Sequence, residues 1–183
     1  DAAAFREAME TIRENYPRSA FYSGMNMLGT HDTPRVLTML GTCPKEAPAT
    51  RTERAHYRMS PEERDKGIRL LQAGAVLLYA FPGSPTVFYG DEAGMEGWED
   101  PFNRGTFPWD NIDPALLRHF RILGHLRNSL PCLQRGEIQY LYAEGQGLAF
   151  QRVLGDEIVI AALNSGDRPI DMVFDWPKRS AID

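Results

Sequence analysis

Three pairs of polar residues stand where their spacing could do chemistry. His31 and Asp32 are adjacent, after the apolar run Tyr22 to Leu28 and Gly29. Asp91 and Glu92 follow Gly90 at the end of a second apolar run, Thr86 to Tyr89. Asp100 and Arg104 are four residues apart in the loop beyond. A carboxylate at such a place can steady a developing cation, accept a hydrogen bond from a hydroxyl, or take a proton. An imidazole can donate a hydrogen bond or ligate a metal. The plainer alternative is a turn. Asp32 would cap Thr33-Pro34-Arg35 and Arg35 would pair with it, since Asp and Thr before Pro are common turn residues. Asp100 and Arg104 would then be an exposed i,i+4 ion pair of little energetic weight.

The elements that hold these residues read as strand, helix, strand, helix. Ala2 to Tyr16 is Ala- and Glu-rich, with Phe5, Ala8, Met9 and Ile12 as its apolar stripe, and Pro17 ends it. Tyr22 to Leu28 predicts a buried strand, and Val36 to Leu40 a short helix or turn. Gly41 to Arg58 reads as a long surface loop. Ser60-Pro61-Glu62-Glu63 combines a capping serine, a proline at the first helical position and a glutamate able to complete a capping box. The helix it opens runs to about Ala80, with Ile68, Leu71, Ala75 and Leu78 inward. Gly67 and Gly74 weaken it or let something pack close. Thr86 to Tyr89 predicts a second buried strand. Asp113-Pro114 starts another helix, running to about Asn128. Polar residues at the ends of strands that alternate with helices fit the carboxyl edge of a parallel sheet, where such sheets carry their working residues.

After Pro131 the texture changes. Ile138 to Tyr142, Leu148 to Val153, Ile158 to Leu163 and Ile170 to Phe174 are four β-type runs separated by glycine-containing turns, an antiparallel meander. The fold class is therefore α/β plus all-β, with a division at residues 1–131 and 132–183.

The two quoted stretches "NMLGTHDTPRVLT" (Asn26 to Thr38) and "FPGSPTVFYGDEAGMEGWEDPFNRGTFPW" (Phe81 to Trp109) together resemble the α-amylase superfamily of retaining α-glucan hydrolases, glycoside hydrolase family 13. The flavour is that of its cyclomaltodextrinase, neopullulanase and maltogenic amylase branch. The resemblance covers roughly residues 1 to 175, on motifs whose order and spacing are specific. It implies the last part of a (β/α)8 barrel, strands seven and eight with their helices, followed by the start of a C-terminal antiparallel β-sandwich. It implies that Asp32 is the catalytic carboxylate that stabilises the transition state. His31, Asp100 and Arg104 would bind sugar, with Arg35, Asp91 and Glu92 structural beside the site. Trp98, Phe102 and Trp109 could stack on sugar faces or pack locally. The implied partner is an α-glucan oligosaccharide.

A retaining glycosidase also needs a carboxylate nucleophile and a carboxylic acid about 5–5.5 Å apart. The resemblance implies that these come from earlier strands, and their motifs are absent here. The chain opens at Asp1 without Met. That start fits a processed protein or a cut piece, and with those motifs absent the chain is expected to be a piece of such an enzyme, inactive alone, with exposed barrel edges that invite self-association.

Composition narrows the alternatives. The 183 residues are 43% hydrophobic, enough for a sizeable core, and the net charge of −5 argues against a general nucleic-acid or anionic-membrane binder. No apolar run approaches the roughly 20 residues of a membrane span. Cys43 and Cys132 form no redox or zinc motif and read as reduced thiols, cytoplasmic rather than secreted. No cofactor and no metal is called for, and calcium in a longer parent is not readable from these residues. Two other functions compete: a non-catalytic sugar-binding or interaction module, and a metal-dependent phosphohydrolase built on His31-Asp32. The second needs further ligands. His56 lies in the polar loop, and His119 and His125, six apart on one helix, point to different faces.

Overall fold

The computed structural model describes residues 1–43 and 47–175. Residues 44–46 of the expected loop and 176–183 of the expected second domain lie outside the described residues. In chain order the elements are α1 (Ala2–Asn15), α2 (Arg18–Ser23), β1 (Met25–Met27), α3 (Val36–Gly41), α4 (Arg51–His56), α5 (Pro61–Ala80) and β2 (Ser84–Thr86). Then come α6 (Pro114–Ser129), α7 (Pro131–Arg135), β3 (Glu137–Glu144), β4 (Gly147–Leu154) and β5 (Glu157–Asn164). None of these helices is long and apolar enough to cross a membrane.

Local chemistry sets the helix starts. The Ser60 hydroxyl accepts from the Glu63 amide at 3.2 Å, and the Glu63 carboxylate accepts from the Ser60 amide at 2.7 Å. Both orphan donors at the head of α5 are thereby satisfied. Asp113 caps α6 by accepting from the amides of Ala115 and Leu116. The same box appears at Thr50 and Glu53, so α4 forms inside the stretch expected to be loop. Its signal was in the sequence, but six residues without an apolar stripe gave no periodicity to read.

Two clusters form the core. One gathers Val36 and Leu37 of α3, Leu71 and Ala75 of α5, and Leu116 and Phe120 of α6. α3 lies tight on α5: a Cβ at Gly41 would sit 2.3 Å from the Glu63 carbonyl, and one at Gly67 would sit 2.9 Å from the Leu37 carbonyl. The glycines of the α5 contact therefore admit a neighbouring backbone. The other cluster joins Ala2, Ala80 and Phe81 to Cys132, Leu133, Ile138, Leu148 and Phe150. Phe81 meets Phe5 and Phe150 edge-on, both at 5.8 Å between ring centres. Two buried arginines close the C-terminal end of α5. Arg127 donates to the carbonyls of Tyr79, Phe81 and Gly83, and Arg152 to those of Ala80 and Gly136. Tyr79 and Ala80 carry orphan carbonyls of the last turn of α5, and cations there complement the helix dipole.

β1 and β2 pair in parallel, with Asn26 opposite Pro85. Both strands are shorter than expected, and β2 falls earlier than Thr86 to Tyr89. Tyr22 belongs to α2, where its hydroxyl donates to Glu137 and Arg18 lies over its ring. β1 is not buried either: Met25 is 64% exposed and Met27 40%. A parallel strand is buried when both neighbours and both faces are covered, and among the described residues β1 pairs with β2 alone.

β3, β4 and β5 form the antiparallel meander, joined by two-residue turns that begin at Gly145 (φ +53°) and Gly155 (φ +58°). Glycine at the first central position is what such hairpins ask for. The fourth run, Ile170 to Phe174, is not a strand. Asn164 accepts from the Gly166 amide and donates to the Arg168 carbonyl, and Ser165 bonds back to Gln146. These bonds turn the chain out of the ladder. Cys132 is buried and both cysteines are free.

Candidate functional site

The site lies where the loops after β1 and β2 meet. Gly29 leaves β1 against Asp91; a Cβ there would sit 2.8 Å from the Asp91 carboxylate, so glycine lets the two loops touch. The next turn is held by threonines. The Asp32 amide donates to the Thr30 hydroxyl and the Thr30 amide to the Thr33 hydroxyl, both at 3.2 Å. The turn thrusts His31 and Asp32 outward.

Four residues singled out in the sequence come together here. Asp32 Oδ1 lies 3.3 Å from His31 Nε2 and 3.6 Å from Arg104 Nη2. Arg104 Nε is 3.0 Å from Asp100 Oδ1 and also donates to the His31 carbonyl at 3.2 Å. Arg104 thus bridges Asp32 and Asp100. The cluster is open, with the Asp32 side chain 72% exposed, so its ion pairs are screened and add little to stability. Two carboxylates, a guanidinium and an imidazole on one surface offer acceptors and donors to hydroxyl groups.

Behind this surface the groups are buried. The Arg35 guanidinium is fully enclosed. It donates to the Asn103 carbonyl at 2.7 Å, to the Tyr89 carbonyl, and to Asp91 Oδ1 at 3.2 Å. It also lies over the Phe88 ring at 4.2 Å and the Tyr89 ring at 4.7 Å. Arg35 therefore pairs with Asp91 and not with Asp32, unlike the simple turn weighed from the sequence. Burial pushes the Asp91 carboxyl up to about 6 against the opposing pull of Arg35. Glu92 accepts from the Gly90 amide at 2.8 Å.

Asn103 was not singled out by sequence reasoning. It is fully buried, and its side-chain amide donates at 2.8 Å to the carbonyls of both His31 and Thr33. An asparagine in a loop carries no periodicity, and its partners are about 70 residues away in the chain. The aromatics divide. Trp98 is buried against Tyr57, ring centres 5.6 Å apart, and Trp109 is 78% exposed and leans on Phe107. Among the described residues no group of three or more His, Cys, Asp or Glu side chains could hold a metal ion. His119 instead contacts the Gln72 carbonyl, and His56 the Thr52 carbonyl.

A parallel strand pair with α5 against it and polar side chains in the loops that follow makes this part of the chain α/β, with the candidate site at the carboxyl ends of the two strands. No protein-family model matches the chain. It is 36% identical over 178 residues to an amylopullulanase of Thermoanaerobacter thermohydrosulfuricus, covering 91% of this chain and 12% of that protein. It is 28% identical over 185 residues to a cyclomaltodextrinase of Geobacillus thermopakistaniensis, covering 96% of this chain and 27% of that one. The fold matches a debranching enzyme from Nostoc punctiforme with a TM-score of 0.72 at 31% identity, over 90% of this chain and 29% of that one. Along most of its length the chain is thus homologous to one segment of the α-amylase superfamily, glycoside hydrolase family 13. It spans well under two thirds of these relatives.

Proposed function

We propose that the chain supplies part of the active site of a retaining α-glucan hydrolase or transglycosidase. The bonds cleaved are α-glucosidic bonds of maltooligosaccharides, cyclodextrins or starch-like glucans. The observation that carries this reading is the convergence of Asp32, His31, Asp100 and Arg104 at the ends of two parallel strands. Asp32 grips hydroxyls of the reacting sugar and favours its oxocarbenium-like transition state. His31 bonds the same sugar, while Asp100 and Arg104 hold the next one. Arg35, Asp91 and Glu92 hold the loops that present them.

In this reading β1 and β2 are the seventh and eighth strands of a (β/α)8 barrel, and β3 to β5 open the sandwich that follows, with the division between residues 131 and 132. The nucleophile and the acid come from earlier strands, so the 183-residue chain alone is inactive. The open side of β1, with Met25 and Met27 exposed, invites self-association of the isolated chain. A mass that stays monomeric at all concentrations in sedimentation would count against that last point.

The test uses maltotriose and a cyclodextrin. A longer protein carrying this segment hydrolyses them, and Asp32→Asn removes the activity. The isolated chain does not turn them over. Turnover by the longer protein that ignores Asp32→Asn would sink the assignment of Asp32. Turnover by the isolated chain, abolished by Asp32→Asn, would sink its inactivity.

A further inference from the structure

We infer that Asn103 is a positioning residue for Asp32, holding the backbone on both sides of that carboxylate; this rests on the role proposed above for Asp32. The Asn103 side chain donates to the carbonyls of His31 and Thr33, the residues immediately before and after Asp32. Both partners are acceptors only, so the NH2 end of the amide must face them and both of its protons are used. The other end, Oδ1, is buried without a hydrogen-bond partner among the described residues. A buried acceptor left unpaired is unfavourable, so a side chain chosen only to fill the space would not carry one. What the amide adds is a two-pronged grip on the Asp32 turn.

The grip is anchored from behind. The Asn103 carbonyl accepts from Arg35 Nε at 2.7 Å, and the Arg35 amide donates to the Gly97 carbonyl at 2.9 Å. The Gly97 amide in turn donates to the Thr38 hydroxyl at 2.9 Å. The turn that carries Asp32 is thereby tied to α3 and to the loop after β2. Arg104, next in sequence, reaches the same His31 carbonyl and also Asp32 itself. Asn103 fixes the backbone of the turn, and Arg104 meets its carboxylate. A catalytic group held this way keeps its geometry through the reaction, and small misplacements are expensive.

Three variants test the idea. Asn103→Ala removes both donors, Asn103→Asp keeps the volume but turns the donors into acceptors, and Asn103→Gln retains the amide on a longer arm. Hydrogen exchange of residues 28–36 in the 183-residue chain is read first, with α5 as internal reference. Loss of the grip speeds exchange in that segment roughly tenfold or more in the Ala and Asp variants, with α5 unchanged. Unaltered exchange in the segment overturns the inference, as does equal acceleration in α5, which marks general destabilisation. In a longer protein that turns over maltotriose, the Ala and Asp variants lower kcat by about 10²-fold with KM little changed, and Gln restores part of it. A larger change in KM than in kcat overturns a positioning role. If kcat ignores Asn103 while Asp32→Asn abolishes it, the inference fails and the proposed function stands. If kcat ignores both, the proposed role of Asp32 has failed and takes the inference with it.

Discussion

Replacing Arg35 by Met tests the buried frame behind the site. The long apolar side chain keeps much of the contact with the Phe88 and Tyr89 rings but strips three acceptors: Asp91, Asn103 and Tyr89. The two carbonyls alone should account for about 1–3 kcal/mol. Asp91 adds a term that depends on pH. Its carboxyl stands at about 6 in the folded chain against an ordinary 3.8, which corresponds to ~3 kcal/mol of proton linkage. Because the folded value is raised, the stability this group lends is fully present below about pH 4 and is lost as pH rises through about 6. Without Arg35, which pulls the value down, the folded carboxyl climbs higher, and the loss continues into the neutral range. Arg35→Met therefore costs about 1–3 kcal/mol near pH 5, where Asp91 is mostly protonated in both proteins. Near pH 8 the deficit grows to about 3–5 kcal/mol, the range for breaking a buried pair by removing one partner. Urea unfolding of both chains at the two pH values measures it. Adding Asp91→Asn should recover much of the deficit near pH 8 and little near pH 5. A deficit that does not change with pH, or a double variant that is simply additive, would refute the coupling of Arg35 to Asp91.

Other substitutions probe the rest of the structure. Gly41→Ala drives a Cβ to 2.3 Å from the Glu63 carbonyl and should cost about 1–3 kcal/mol in thermal melts. Gly124→Ala, on α6, meets nothing closer than a Tyr79 ring carbon at 3.7 Å and should stabilise by roughly 0.5–1 kcal/mol. Arg152→Met leaves the carbonyls of Ala80 and Gly136 without their donor, a loss of about 2–4 kcal/mol visible in urea midpoints. Asp32→Asn, at a side chain 72% exposed, should leave the melting free energy within ~0.5 kcal/mol of the parent chain.

What could be read from the sequence was local. Ser60-Pro61-Glu62-Glu63 places every group of the α5 cap within three residues, and Asp113-Pro114 does the same for α6, so both starts stand where expected. The meander is legible because Gly145 and Gly155 each supply a positive φ between short apolar runs. The His31-Asp32 pair and the order of its surrounding motifs pointed to the loops that meet. What the sequence did not determine depends on groups far apart along the chain. β1 shrank to three residues and left its methionines exposed because burial depends on how many neighbours a strand has, which is not a property of its own residues. Ile170 to Phe174 has the composition of a strand but is turned out of the ladder by bonds among Gln146, Asn164, Ser165 and Arg168. Arg35 found Asp91, 56 residues on, rather than Asp32 three residues away. Asn103 became the grip on the Asp32 turn only when the two strand-end loops came into contact. Caps and turns close within a few residues, so a sequence carries them in full; a buried charge or amide takes its partner from whichever backbone the fold brings within 3 Å.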